Sequence, residues 1–154
     1  MKASMRTASV FLILTWACCA GSILGTWRMD PRQSTFAGQS APNSLLLRIE
    51  RHAKGEVFTV DRVESDGRRT SSSTVLYLDG ALRAFQDFEC SGSQSSRGTD
   101  SNTVEIVRNC ELGHWIRLTR KLAGADRQLV LEITEQYADG RRFERRLVFE
   151  KVQE

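Results

Sequence analysis

The chain lacks the groupings that announce a chemistry. Its two histidines, His52 and His114, stand far apart in the sequence, and neither has the spacing of a His-x-x-x-His metal motif. Both lie near expected strand ends with nothing converging on them, so each reads as a surface or loop residue. Serine is plentiful, yet none occupies a Gly-x-Ser-x-Gly elbow, and Ser93, Ser95 and Ser96 read as loop solvation. Asp87 and Glu89 stand at i and i+2, as carboxylates commonly do on a strand surface, which gives general acid–base work no support. There is no nucleotide-binding loop. No catalytic residue, metal site or cofactor is assigned, and an enzyme would need a buried polar cluster that the linear pattern does not display.

Charge is missing altogether between Thr7 and Trp27. Lys2 and Arg6 precede an apolar run from Val10 to Ala20, and the small residues Ala20, Gly21 and Ser22 offer a cleavage site, so residues 1–24 read as a signal peptide. Two alternatives stand beside it. An uncharged span of about 20 residues is long enough for an uncleaved anchor, and Cys18 or Cys19 at the end of the apolar run would suit lipid attachment. Membrane association is expected only under those alternatives. The expected location is the periplasm or the outside of the cell. Without Lys2 and Arg6 the chain keeps 20 Lys and Arg against 19 Asp and Glu. That near-neutral balance argues against a nucleic-acid partner, which needs a clustered basic face. The pairs Arg68/Arg69, Arg141/Arg142 and Arg145/Arg146 are interleaved with acidic residues and read as solvated sheet faces.

Residues 25–154 make one domain, large enough to bury a core. Only Cys90 and Cys110 lie outside the leader. An oxidising compartment favours their pairing, worth roughly 3 kcal/mol for a loop of this size.

Downstream of Pro42 apolar residues recur with period two, the repeat that lines one face of a strand. Leu45, Leu47 and Ile49 share a face, as do Phe58 and Val60, then Ile116 and Leu118, then Leu129, Leu131 and Ile133, and finally Phe143, Leu147 and Phe149. Asp66-Gly67, Asp79-Gly80 and Asp139-Gly140 mark tight turns, and Lys54-Gly55 suits a hairpin. Ala81 to Cys90 reads as a strand and Ser91 to Asn102 as a Ser-rich loop. With a short first strand at Thr26 to Met29, the reading is all-β: an antiparallel up-and-down meander of about eight or nine strands. Rolling such a meander into a barrel or curled half-barrel protects its edges.

Gly25-Thr26-Trp27 resembles the Gly-x-Trp start of lipocalins, whose Trp closes one end of the barrel beneath a basic residue from the last strand. The resemblance implies that Arg145 or Arg146 supplies that cation, stacked over the ring. The longer stretch Gly25-Thr26-Trp27-Arg28-Met29-Asp30-Pro31, followed by Ser34-Thr35-Phe36, is similar to small exported bacterial proteins that open with Gly-Thr-Trp, a basic residue, an apolar one and Asn/Asp-Pro. That likeness continues through Ala41 to Leu45, the Asp-Gly hairpins and Leu147 to Glu150. It implies a lipocalin-like barrel and an envelope location, without naming an activity.

A small barrel can hold one apolar or amphipathic molecule, or its side chains can fill it. In a hollow barrel Phe58 and Phe143 would line the space, with Tyr77, Tyr137 and Trp115 giving polar contacts at the mouth. In a solid one the protein would act through surface contacts with a partner.

Overall fold

A computed structural model describes residues 22–125 and 127–153. The leader reading at residues 1–21, with Cys18 and Cys19, lies outside the described residues. No helix among the described residues is long and apolar enough to cross a membrane.

Ten strands form one antiparallel, strongly curled half-barrel sheet: β1 (Gly25–Met29), β2 (Ser44–His52), β3 (Gly55–Val63), β4 (Arg69–Leu76), β5 (Arg83–Gln86), β6 (Ser91–Gly98), β7 (Thr103–Cys110), β8 (Trp115–Ala123), β9 (Gln128–Gln136) and β10 (Arg142–Lys151). Their order in the sheet is β4-β3-β2-β1-β10-β9-β8-β7-β6-β5. The first and last strands are therefore neighbours at the centre, and the two edges belong to β4 and β5.

Turns are set by aspartates. Asp30, Asp66, Asp79, Asp87, Asp100 and Asp139 each accept the backbone N–H two residues on, at 2.8–3.0 Å, the local bond that lets Asp stand in for a turn of backbone. At Asp139-Gly140 the glycine takes φ 87°, which a side chain resists.

The sheet has one more strand than the upper expectation, and the addition is β6. Ser91–Gly98 is no loop: it pairs with β7 over Gly92↔Cys110 to Gly98↔Val104 and with β5 over Arg83↔Gln94 to Gln86↔Ser91. Its neighbour β5 is correspondingly short, and Asp87 to Cys90 is a turn rather than strand. The buried residues of β6 are Gln94 and Ser96, so apolar alternation, the signal of a half-buried strand, is missing. Gly92 is needed for close approach, since a Cβ there would sit 2.0 Å from the Asn109 carbonyl oxygen. The expected Cys90–Cys110 disulfide is present and ties the β5–β6 turn to the end of β7.

One end of the interior is apolar and closed. Trp27, Ile49, Leu76, Leu129 and Phe149 are wholly buried there. The Trp27 indole N–H donates to the Ile23 carbonyl at 2.9 Å, so the chain just before β1 already belongs to the fold. The cation over the Trp27 ring is Lys151, with Nζ 5.3 Å from the ring centroid and bonded to the Ser22 carbonyl at 2.7 Å. This corrects the expectation for Arg145 and Arg146. The register decides it, because Trp27 faces Lys151 across β1 and β10, while Arg145 lies six residues earlier, towards the other end of β10.

Candidate functional site

Inward-facing positions that carry apolar side chains in the middle of the sheet carry charges towards the end bearing the 87–90 and 137–141 turns. On β3 the series Phe58, Val60 runs on to Arg62; on β7 Val104, Ile106 runs on to Arg108; on β9 Leu131, Ile133 runs on to Glu135; on β10 Leu147 is preceded by Arg145. Strand alternation alone places these groups on the inner wall. They rim a cavity of about 90 Å³, whose floor includes Leu47, Phe58, Ile116, Leu118 and Leu131. The turn residues Asp87, Phe88 and Glu89 close over it. Phe88 is half-exposed.

The arginines are paired unevenly. Arg145 and Glu135 lie on adjacent strands and form a close ion pair, and Tyr137 donates its hydroxyl to Glu135 at 3.2 Å. Arg108 Nε donates to Gln94 Oε1 at 3.0 Å, whereas its Nη1 reaches Asp87 only at 3.5 Å. Arg62 holds Glu64 at 2.9 Å and Glu89 at 3.3 Å. A charge-assisted N–H···O bond is typically about 2.7–2.9 Å. Both contacts to the 87–89 turn are therefore long. Burial pushes the Arg108 guanidinium below its ordinary value, against the pull of Asp87 and Glu89. Burial does the same to Arg145, with Arg62 adding like-charge repulsion and Glu89 opposing it. Phe85 covers Arg108 with its ring, 4.3 Å from the guanidinium carbon.

At the Trp27 end one further ion pair is enclosed: Arg120 of β8 meets Glu56 of β3 across the interior. Arg120 is 1% exposed. Among the described residues its Nε has no hydrogen-bond partner, and the Phe58 ring lies 5.9 Å away.

Of the expected ligand contacts, Phe58 lines the cavity. Tyr137 and Phe143 pack edge to face at 6.0 Å beside it, with His114 stacked on the other partner, Tyr137, at 4.2 Å. Tyr77 lies elsewhere, in a groove of about 490 Å³ between the β4 and β5 edges, beneath Arg83 at 4.0 Å. Trp115 neighbours the inward Ile116 and so faces outward, away from the cavity. Cys90 and Cys110 hold the closing turn. Asp87 and Glu89, expected as ordinary surface carboxylates, instead cap the cavity, and Arg145, expected to be solvated, is largely buried with Glu135. The physical cause is the curl of the sheet, which turns one face of every strand into an interior wall.

Among the described residues, no three His, Cys, Asp or Glu side chains are grouped as metal ligands. Compared with known proteins, the chain matches no family model and no curated protein.

Proposed function

We propose that this is an exported binding protein that takes up the apolar part of a small amphipathic molecule at the charged end of its curled sheet, without catalysis. The carrying observation is the unfilled space of about 90 Å³, with an apolar floor and a charged rim. Few polar groups placed around an apolar hollow are what orients a small ligand. The uncharged leader segment and the disulfide are both compatible with export. The test is mass spectrometry of small molecules extracted from protein purified from its native source, paired with titration of the apolar fluorophore N-phenylnaphthylamine. The expected result is a stoichiometric bound species and saturable fluorescence, weakened by Leu118→Phe, which adds bulk to the floor. Clean protein with no saturable signal overturns the reading.

A second reading is supported by the size of the cavity. About 90 Å³ accommodates roughly three waters, well short of the ~300–1,000 Å³ of a drug-sized site. A solid-core envelope protein would instead work through its surface. Leu82, Phe88 and Leu112 are exposed apolar side chains, and the β4 and β5 edges offer further contacts for a partner protein.

A further inference from the structure

Resting on the binding reading above, we propose that the ligand's polar end is a carboxylate, held by Arg62 in the place that Glu89 now occupies, with its aliphatic tail on the Phe58, Leu118 and Leu131 floor.

Three guanidiniums, those of Arg62, Arg108 and Arg145, converge on one cavity from three strands of the sheet. Arg62 and Arg108 are laddered on both sides, and Arg145 to β9 on one, with a single bridge from Thr35 to Arg146 beside it on the other. The carboxylates that neutralise them differ in kind. Glu135 is on a strand and pairs closely with Arg145, and Glu64 holds Arg62 Nε at 2.9 Å, whereas Asp87 and Glu89 sit on the irregular turn at the mouth and reach Arg108 and Arg62 Nη1 at 3.5 and 3.3 Å. The chain thus supplies its own loosely bonded anions at a mouth whose cationic half is rigid. A guanidinium matches a carboxylate through two parallel N–H donors, and each turn contact uses one long one. A ligand carboxylate in the place of Glu89 can form shorter bonds, and the solvent-facing Glu89 loses little when displaced.

The surroundings favour that exchange. Arg145 Nε is buried and, among the described residues, has no hydrogen-bond partner, so donor capacity remains beside the cavity. Glu89 is 43% exposed and can return to water when displaced. Asp87, by contrast, is buried, held in its turn by the backbone N–H groups of Glu89 and Cys90 at 2.8 Å, and stays beside Arg108. The tail has an apolar floor directly beneath the guanidiniums, which places both halves of one molecule in one site.

The experiment compares octanoate with 1-octanol by calorimetry, on the wild-type protein and on Arg62→Gln and Glu89→Gln. Octanoate is expected to bind about tenfold or more tighter than octanol, the scale of one charge-assisted bond in a partly buried site. Arg62→Gln should weaken octanoate about tenfold and bring it level with octanol. Glu89→Gln should tighten octanoate several-fold by removing the internal competitor, an effect that a merely structural ion pair would not give. Equal affinity for acid and alcohol overturns the carboxylate assignment and leaves the amphipathic-ligand reading standing. Binding of neither overturns both. If Arg62→Gln does not fold, Glu89→Gln decides alone: unchanged or weaker octanoate binding overturns the exchange.

Discussion

The two ends of the interior use the same strand geometry to opposite effect. At the Trp27 end the inward positions are large and apolar, and they fill the space between the strands with rings and branched chains. At the other end the same alternation delivers Arg62, Arg108, Arg145 and Glu135, which need partners before they can be enclosed. The first end closes by packing. The second draws in a turn of the chain to supply carboxylates, and keeps a small cavity. Burial of a ring asks only for volume; burial of a guanidinium asks for a counter-charge, and where that charge is loosely held the site is open to exchange.

The largest expected effect breaks the closed end. Trp27→Ala should destabilise by about 3–5 kcal/mol, because a fully buried ring leaves a cavity that its strand neighbours fill only in part. A denaturant titration measures it, and a change near zero would remove the end-closing role of Trp27.

Arg120→Ala tests the exception within that apolar end. Loss of one partner strands Glu56, and breaking a buried pair typically costs about 3–5 kcal/mol. The double replacement Glu56→Leu with Arg120→Met should recover most of that loss, since well-packed apolar pairs often equal or exceed a buried ion pair. Equally damaging single and double variants would mean that the pair contributes through more than its mutual charge.

At the open end the corresponding change is small. Arg62→Gln should cost about 1 kcal/mol, because Glu89 faces solvent, where screened pairs contribute little, and Glu64 keeps Arg68 nearby when Arg62 is lost. A loss as large as that of Arg120→Ala would erase the contrast between the two ends.

The smallest effect is graded with pH and lies outside the interior. Hydrogen bonds from Arg117, then Arg97, hold the Glu105 carboxyl below its ordinary value; the Gln33 side-chain amide, with the Arg32 backbone N–H, lowers Asp30, and the turn bonds of Asp100 and Asp139 lower theirs. A carboxyl depressed by folding adds stability above its unfolded value near 4 and loses it as pH falls through the folded one. The melting temperature should therefore be flat from pH 7 to about 5 and decline below about 4. Glu105→Gln should flatten part of that decline.

Most of the sheet was legible in the alternation of apolar residues, since β2, β8, β9 and β10 carry it with few breaks. β6 was not, because Gln94 and Ser96 replace apolar residues at its inward positions and its exposed face is serine as well. Its burial depends on Arg108, which donates to the Gln94 side chain, and on Thr74, which accepts from it, partners that only the folded neighbours provide. The candidate site was partly written in the same parity. Arg62 shares a face with Phe58 and Val60, Arg108 with Val104 and Ile106, and Arg120 with Leu118 and Leu122. An Arg in register with a core series is a sign of an interior charge. Which carboxylate meets which arginine was not legible, because Glu89 and Glu56 reach Arg62 and Arg120 across the curl of the sheet rather than along a hairpin.

The pairing of β1 with β10 sets an order on assembly during synthesis. β1 to β4 and β5 to β9 are runs of sequential neighbours that can zip as they emerge, while the other side of β1 waits for β10. Until Phe149 and Lys151 arrive, the Trp27 ring lacks part of its cover and β9 keeps an unpaired edge. A chain cut short before Arg142 would thus expose apolar surface at what should be the middle of the sheet, a form prone to aggregation and open to proteolysis.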